Sequence, residues 1–167
     1  TMWNDVTALR HAPDSLDTAA GLGCEVVLMH MQGEPGTMQA APHYDDVVAE
    51  VAAFLAARAE AAMAAGVARE KIWLDPGIGF GKHKTRHNLP LLAGLDRIVA
   101  LGFPVLLGAS RKRFIGALDG DAPADARLGG SIAAALAGAA AGVAAVRVHD
   151  VRETVQALSV WTAIAQA

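Results

Sequence analysis

Short apolar runs alternate along the chain with longer segments that carry apolar residues at helical spacing. The short runs, which are rich in leucine and β-branched residues, predict buried parallel strands at 25–29, 72–74, 105–107 and 145–148. The longer segments predict helices at about 46–65, 89–101 and 126–141, with shorter helical pieces near 18–23 and after 110 and a last helix from about 150. This alternation predicts an α/β fold with a parallel sheet.

Polar residues mark the predicted starts of three helices. Asn88 is a candidate N-cap because Pro90 follows in the first turn. Ser110 is a candidate cap for the short helix after it. Asp150 with Glu153 three residues later forms a pattern like a capping box. We therefore expect these side chains to bind backbone N–H groups at helix ends.

An acidic residue and three alternate glycines follow the strand at 72–74. The Asp75-Pro76-Gly77 sequence is by itself equally typical of a structural turn. Glycines at 77, 79 and 81 additionally allow the backbone to approach a flat ligand and to expose its N–H groups. A carboxylate at this position can accept two hydrogen bonds from an aminopyrimidine-like edge. The loop is therefore a candidate ligand site, with a plain turn as the alternative.

Basic residues follow two further strands. Lys112 lies in the run Ser-Arg-Lys-Arg at 110–113, a pattern usual for a solvated surface or a phosphate patch. Arg147 and His149 alternate, so that both project to one face of the predicted strand. Arginine offers a planar fork to phosphate oxygens and histidine adds a donor, which makes the pair a candidate diphosphate clamp. An isolated Arg-x-His pattern is weak evidence on its own.

Composition excludes several classes of partner. The net charge of −3 and the pI near 6.0 give no broad positive field for nucleic acid. Apolar residues make up 53% of the chain, but the apolar segments are interrupted and shorter than the roughly 18 residues of a membrane span. The single Cys24 excludes an internal disulfide, and no leader pattern is visible. We expect a cytoplasmic protein that binds neither nucleic acid nor membranes.

Four motifs occur in an order that resembles dihydropteroate synthase, the folate-pathway enzyme that joins p-aminobenzoate to a pterin methyl diphosphate. They are Met-His-Met-Gln-Gly at 29–33 followed by Pro35 and Thr-Met-Gln at 37–39, Asp-Pro-Gly at 75–77, Ser-Arg-Lys at 110–112 with Phe-Ile-Gly at 114–116, and Arg-Val-His-Asp-Val at 147–151. Residues 1–6 resemble the family's fourth strand and its Asn-Asp turn. The loops with which the family opens are not in this sequence.

The resemblance implies a TIM (β/α)8 barrel. A complete barrel of this kind needs about 250 residues, whereas this chain has 167. We therefore expect the chain to cover about the C-terminal five βα units, strands four to eight, as one domain over residues 1–167. By itself this part is expected to be inactive.

The resemblance also assigns roles to individual residues. Asp75 and Asn4 are expected to bind the pterin ring, with Met29 in the apolar pocket wall. Lys112 is expected to donate to the pterin carbonyl and to approach p-aminobenzoate. Arg147 and His149 are assigned to the leaving diphosphate, and together with Lys112 they form the expected catalytic set. The other expected substrate-binding residues are Gly79, Phe80, Ser110, Arg111 and Arg113.

Arg113 departs from the family's pattern, and His30 is not assigned to a ligand. Many members of the family have a hydroxyl residue where this chain has Arg113, so the contact to the benzoate carboxylate is open; the start of the following helix is another source of attraction for an anion. His30, flanked by methionines, is interpreted as a packed residue rather than a metal ligand.

The resemblance further implies that Mg²⁺ accompanies the diphosphate, with its protein ligand outside this chain, and that the full-length protein is a homodimer and a sulfonamide target. Two alternatives stay open. One is a non-catalytic pterin- or folate-binding module, or a partial barrel with a structural role. The other is the pterin-binding domain of a corrinoid methyltransferase, against which the Ser-Arg-Lys and Arg-x-His patterns argue because methyl transfer needs no diphosphate clamp.

Overall fold

A computed structural model describes residues 1–33, 36, 38 and 40–167. The motif residues Pro35, Thr37 and Gln39 lie outside the described residues. The strands are β1 (Met2–Asp5), β2 (Glu25–Met29), β3 (Ile72–Asp75), β4 (Leu106–Leu107) and β5 (Ala145–Val146). The helices are α1 (Ser15–Leu22), α2 (Val47–Ala64), α3 (Asn88–Ala93), α4 (Leu95–Val99), α5 (Arg113–Leu118), α6 (Leu128–Ala140) and α7 (Val151–Ala165), with 3₁₀ turns at Arg69–Lys71 and Ala124–Ala126.

The strands are parallel and neighbour one another in chain order. β2 pairs with both β1 and β3, and β4 pairs with β5. A parallel bridge between Leu74 and Val105 joins the two groups of strands. The predicted α/β class with a parallel sheet is therefore confirmed. Because all five strands run the same way, the residues that follow them meet at one edge of the sheet.

Helices cover the sheet and form the core with it. Asp46 caps α2 through its carboxylate, which accepts from the N–H groups of Val48 and Ala49 at 3.0 Å. One face of α2 is fully buried, including Val51 and Leu55. Burying a side chain of this size stabilises the fold by about 1.5–3 kcal/mol. In the part of the chain that the structure describes, no helix is both long and apolar enough to cross a membrane.

The predicted helix at 89–101 is in fact two helices, α3 and α4, which meet at Gly94. A Cβ atom at Gly94 would lie 2.9 Å from both methyl groups of Val48, so the break allows α2 to approach closely. The prediction that Asn88 is an N-cap is wrong, because Asn88 is the first residue of α3 itself. Its side chain instead accepts a hydrogen bond from the N–H of Gly79 at 2.8 Å.

Of the other two predicted caps, Asp150 is the N-cap residue of α7 but forms no side-chain cap hydrogen bond, and Ser110 is wrong because Lys112 holds the N-cap position of α5. Asp150 precedes α7, but its side chain makes no cap hydrogen bond and binds Arg111 instead. Ser110 lies before the start of α5, and its hydroxyl binds His149. In both cases a residue of another loop forms a hydrogen bond with the oxygen that the local sequence pattern assigned to a helix end.

Candidate active site

Asp75 ends β3 and is buried, with 2% of its surface exposed. Its Oδ1 atom accepts from the N–H of Gly77 at 2.7 Å, and its backbone oxygen accepts from the N–H of His30 at 3.0 Å. Burial raises the pKa of Asp75. The Gly77 N–H and the positive charges of Arg147, Lys112 and Lys82 oppose that rise. The sheet edge therefore holds a buried acid among cationic side chains.

The glycine loop, residues 77–81, lies directly on the backbone that follows β2. Gly77 and Gly81 have φ angles of +67° and +59°. A Cβ at Gly77 would lie 1.9 Å from the carbonyl oxygen of His30, and one at Gly81 would lie 2.3 Å from that of Gln32. Only glycine fits such contacts. Packing against the neighbouring backbone therefore requires glycine at 77 and 81, so these two glycines by themselves do not decide between a turn and a ligand site.

Lys82 follows the glycine loop and is buried, with 1% of its surface exposed. Its Nζ atom donates to the carbonyl oxygens of Gly77 at 3.0 Å and Phe80 at 3.1 Å, and lies 2.9 Å from Nδ1 of His30. Burial lowers the pKa of Lys82 to about 7. The sequence analysis assigned no role to this lysine. Its only signal was its place directly after a glycine-rich loop at a strand end.

His30 is packed inside the protein, as the sequence analysis predicted. Its ring meets the ring of Phe54 edge-on at 4.8 Å between centroids, and only 6% of the residue is exposed. Burial, with the charge of Lys82 as the second cause, lowers the pKa of His30 to about 3. The ring is therefore neutral near pH 7 and can accept a hydrogen bond at Nδ1.

Lys112, Phe80 and Gly79 come together as predicted. The Nζ atom of Lys112 lies 4.2 Å from the centroid of the Phe80 ring, within cation–π distance. A Cβ at Gly79 would lie 3.4 Å from the Lys112 side chain. Burial lowers the pKa of Lys112, while the charge of Asp75 opposes that shift. The lysine therefore links the loop after β4 to the loop after β3.

Two cavities share Lys112 as a wall. The larger, of about 530 Å³, is lined by Met38, Gly79, Phe80, Lys82, His83, Lys84, Asn88, Lys112, Arg113 and Phe114. The smaller, of about 320 Å³, is lined by Gly108, Ser110, Lys112, Arg147, Val148 and His149. Eleven of the residues at these walls come from loops after β3, β4 or β5, so the topology alone brings the two sites to the same edge.

Arg147 and His149 line the smaller cavity together, as predicted, although β5 ends before them at Val146. A Cβ at Gly108 would lie 3.2 Å from the Arg147 guanidinium, so glycine makes room for that side chain. The hydroxyl of Ser110 accepts from the N–H of His149 at 3.2 Å and lies 3.0 Å from its Nδ1. Since Ser110 occupies Nδ1, Nε2 is the ring nitrogen left for a ligand.

Arg111 differs from its neighbours in the basic run. Its φ angle is +57°, and its guanidinium binds both carboxylate oxygens of Asp150. This bond holds the pKa of Asp150 below its usual range. Within the described part of the chain Arg111 lines neither cavity. The expected substrate contact of Arg111 therefore has no support here, and its position indicates that it joins the loops after β4 and β5.

The remaining predicted residues, Arg113, Met29 and Asn4, lie in three different elements. Arg113 is exposed in the first turn of α5 and lines the larger cavity. Met29 is buried and pairs with Asp75 in the sheet register. Asn4 is in β1, and its Oδ1 atom is buried with no hydrogen-bond partner among the described residues. An unpaired buried acceptor costs about 1–3 kcal/mol, so a donor from a ligand would satisfy a real need there.

The described residues contain no cluster of three or more histidine, cysteine, aspartate or glutamate side chains suited to a metal ion. The site as described is thus built from one buried acid, an amide and several cationic side chains. Such a set suits a flat polar ring together with an anionic group.

Comparison with known proteins agrees with this chemistry. The chain belongs to the pterin binding enzyme family, whose sequence profile matches residues 1–149. Among curated relatives, the dihydropteroate synthase of Haemophilus influenzae is 46% identical over 164 residues, which cover 98% of this chain and 58% of the relative. The resemblance to dihydropteroate synthase that the motifs indicated is therefore confirmed. The chain spans less than two thirds of the length of this relative.

Solved structures show the same fold. The structure of dihydropteroate synthase from Stenotrophomonas maltophilia, with imidazole bound in its active site, superposes with a TM-score of 0.93 at 52% identity, over 98% of this chain and 61% of the other. The enzyme from Xanthomonas albilineans, in complex with 7,8-dihydropteroate, gives a TM-score of 0.91 at 50% identity, over 99% of this chain and 60% of the other.

Proposed function

We propose that this chain carries the pterin-binding and catalytic residues of a dihydropteroate synthase. In the proposed reaction, the arylamine of p-aminobenzoate attacks the methylene carbon of 6-hydroxymethyl-7,8-dihydropterin diphosphate. The new C–N bond forms, the C–O bond to diphosphate breaks, and the amine loses a proton. The observation that carries this proposal is the buried Asp75 beside Lys112, which forms a wall of both cavities. The Xanthomonas albilineans relative, solved with the reaction product, supports it.

The pterin ring is proposed to lie at the end of β3. Asp75 accepts hydrogen bonds from the aminopyrimidine edge of the ring, and the unpaired Oδ1 of Asn4 accepts a further one. Met29, buried beneath Gly77, supplies apolar surface at the same edge. Holding the ring in one orientation places its methylene carbon for attack, which is the part of the barrier that positioning removes.

p-Aminobenzoate is proposed to occupy the larger cavity. The Phe80 ring offers a flat apolar surface to the benzoate ring, and Lys112 above it directs the arylamine toward the pterin. Arg113, which lines the same cavity, supplies a guanidinium for the carboxylate. A guanidinium can bind a carboxylate through two hydrogen bonds, so Arg113 can replace the hydroxyl residue common in the family.

The diphosphate is proposed to occupy the smaller cavity, with Arg147 and His149 as its clamp. Charge develops on the leaving oxygen as the C–O bond breaks, and fixed cationic donors stabilise that charge. Lys112 faces the same cavity and adds its ammonium group. Ser110 holds His149 in place through Nδ1.

Arg147→Ala should weaken binding of diphosphate more than binding of the pterin ring. The guanidinium addresses only the charged leaving group, and loss of one charge-assisted hydrogen bond costs about 1.5–3 kcal/mol. NMR titration with inorganic diphosphate and, separately, with a pterin that lacks phosphate measures the two effects. His149→Ala should act in the same direction but less strongly. Arg152→Ala, which removes an exposed arginine of α7, is the control. Equal diphosphate affinity in the parent and both site variants would refute the clamp.

The fold supports a finer assignment. We propose that the five strands are consecutive units of a TIM barrel, corresponding to strands four to eight, in one domain over residues 1–167. The sequential parallel order of the strands supports this proposal. We also propose that Mg²⁺ accompanies the diphosphate, that its protein ligand lies outside this chain, and that the full-length protein is a cytoplasmic homodimer sensitive to sulfonamides.

The decisive experiment is diphosphate release that requires both substrates. A non-catalytic pterin-binding module releases none, and a corrinoid methyltransferase domain releases none because its folate donor carries no diphosphate. We expect the 167-residue chain alone to bind the pterin weakly and to form little dihydropteroate, because five strands cannot close an eight-stranded barrel and leave sheet edges open.

Mixing the chain with the N-terminal part of a related dihydropteroate synthase should restore diphosphate release. Omission of p-aminobenzoate is the control. Release by the chain alone at the full rate of a relative would contradict the open-barrel expectation, and no release from the mixture, despite formation of the complex, would contradict the proposed function.

A further inference from the structure

Lys82 is a buried lysine whose ammonium is fully engaged by the protein. An ammonium has three protons and no acceptor capacity. The structure supplies three acceptors within 3.1 Å of Nζ, namely the carbonyl oxygens of Gly77 and Phe80 and the Nδ1 atom of His30. A charge that needs no water for its hydrogen bonds can remain in the interior.

The three acceptors belong to two separate parts of the chain. Gly77 and Phe80 are at the two ends of the segment that contains Gly79, whereas His30 follows β2 and is 52 residues away from Lys82 in sequence. The ammonium therefore closes the glycine loop on itself and fixes it to the end of the neighbouring strand. The close contact of Gly77 with the His30 carbonyl oxygen brings the same two segments together.

We propose that Lys82 is a positioning residue, whose ammonium holds the glycine loop against the end of β2 so that Gly79 and Phe80 keep their places at the wall of the larger cavity. Lys82 acts through the loop and not through contact with a reacting atom. The identity of the ligands that the loop positions, a pterin and p-aminobenzoate, rests on the proposed function. The inference that Lys82 holds the loop does not rest on the proposed function.

The charged and titratable groups around Lys82 determine the pH at which this inference should be tested. Near Lys82 lie Asp75, which raises its pKa, Lys112, which lowers it, and the rings of His30 and Tyr44. With a pKa of about 7 for Lys82 and about 3 for His30, the lysine is mainly charged and the histidine neutral at pH 6. That is the state in which all three hydrogen bonds form.

The test compares Lys82→Met, which keeps most of the side-chain volume, with Lys82→Arg, which keeps the charge and the donors. Lys71→Met is the matched control, because Lys71 also donates to a backbone oxygen, that of Gly23, away from the candidate site. Amide hydrogen exchange at pH 6 is followed by NMR at Gly77, whose N–H is bonded to Asp75, and at Phe80, whose N–H is bonded to Gly77. Amides inside α2 serve as the internal reference.

We expect Lys82→Met to accelerate exchange in the loop by about tenfold or more, the effect of leaving buried acceptors unsatisfied, with a much smaller change in α2. Lys82→Arg should recover part of the protection, and Lys71→Met should leave the loop unchanged. Unchanged loop exchange in Lys82→Met, or equal acceleration in the loop and α2, would overturn the inference. Should Lys82→Met fail to fold, Lys82→Gln, which retains a donor, is judged by the same two criteria.

Titration of each variant with a pterin diphosphate separates the inference from the proposed function. If the parent chain binds the pterin and Lys82→Met binds it about tenfold more weakly, both stand. If the parent does not bind even when it is mixed with the N-terminal part of a related dihydropteroate synthase, while loop exchange still responds to Lys82→Met, the role of Lys82 in holding the loop stands and the pterin site is refuted. If Lys82→Met binds as tightly as the parent, the positioning role is refuted and the pterin site stands.

Discussion

Replacing Asp75 with asparagine should abolish measurable binding of a pterin diphosphate while the chain keeps its fold. The carboxylate is buried, so its hydrogen bonds to a ligand are poorly screened by water. Loss of the charged acceptor should cost about 1.5–3 kcal/mol, which corresponds to a loss of affinity of about ten- to 150-fold. Because the free chain is expected to bind weakly already, NMR titration would then detect no saturation in the variant.

The asparagine keeps an oxygen that can accept from the N–H of Gly77, so the turn itself should survive. Asp96→Asn, in an exposed position of α4, is the matched control and should bind like the parent. Circular dichroism of the three proteins should be the same. If Asp75→Asn bound the pterin with the affinity of the parent, Asp75 would have to be removed from the site and the turn interpretation would be the better one.

Acidification should destabilise the protein through His30, by up to about 5 kcal/mol between pH 6.5 and pH 3. The pKa of His30 is about 3 in the folded chain against 6.5 for the free side chain, and one pH unit corresponds to about 1.36 kcal/mol. Between these values the unfolded state binds the proton and the folded state does not, so the free energy of unfolding falls as the pH falls. The loss is complete below pH 3.

The main physical reason is the burial of the His30 ring, and the positive charge of Lys82 is the second. Protonated His30 would lose the Nδ1 acceptor and place a second positive charge 2.9 Å from the ammonium. His30→Asn retains an acceptor near Nδ1 but cannot be protonated, so its free energy of unfolding should depend less steeply on pH in this range. Urea unfolding at several pH values measures the slope, with His11→Asn as the exposed control. Parallel slopes in the parent and His30→Asn would contradict the assignment.

Much of the fold follows from local pattern. The run at 25–29 is short and mostly apolar and contains two β-branched residues, and the structure has β2 at the same residues. Asp46 was predicted at the start of the helix at 46–65 and is the N-cap of α2. The predicted single helix at 89–101 is divided at Gly94, which makes a tertiary contact with Val48. Nothing in the spacing of apolar residues around Gly94 indicates it.

The candidate site, like the fold, could be predicted from the sequence only in part. The placement of Asp75, Lys112 and Arg147 at one sheet edge follows from parallel topology, which the sequence revealed. The sequence could not show which of two adjacent basic residues faces the cavities. That choice depends on the positive φ angle of Arg111 and on Asp150, which is 39 residues away in sequence. Lys82 was missed for a similar reason, because its partner His30 precedes it by 52 residues.

The packing of the glycine loop also determines where directed evolution can act. Gly77 and Gly81 press on the carbonyl oxygens of His30 and Gln32, and any side chain at either position would overlap them. These two glycines thus form a main-chain floor under the loop, and no other residue fits at either position. Exposed positions at the rim of the larger cavity, such as His83 and Arg113, have room to vary. Mutant libraries aimed at altered substrate preference should therefore randomise the rim and leave the floor unchanged.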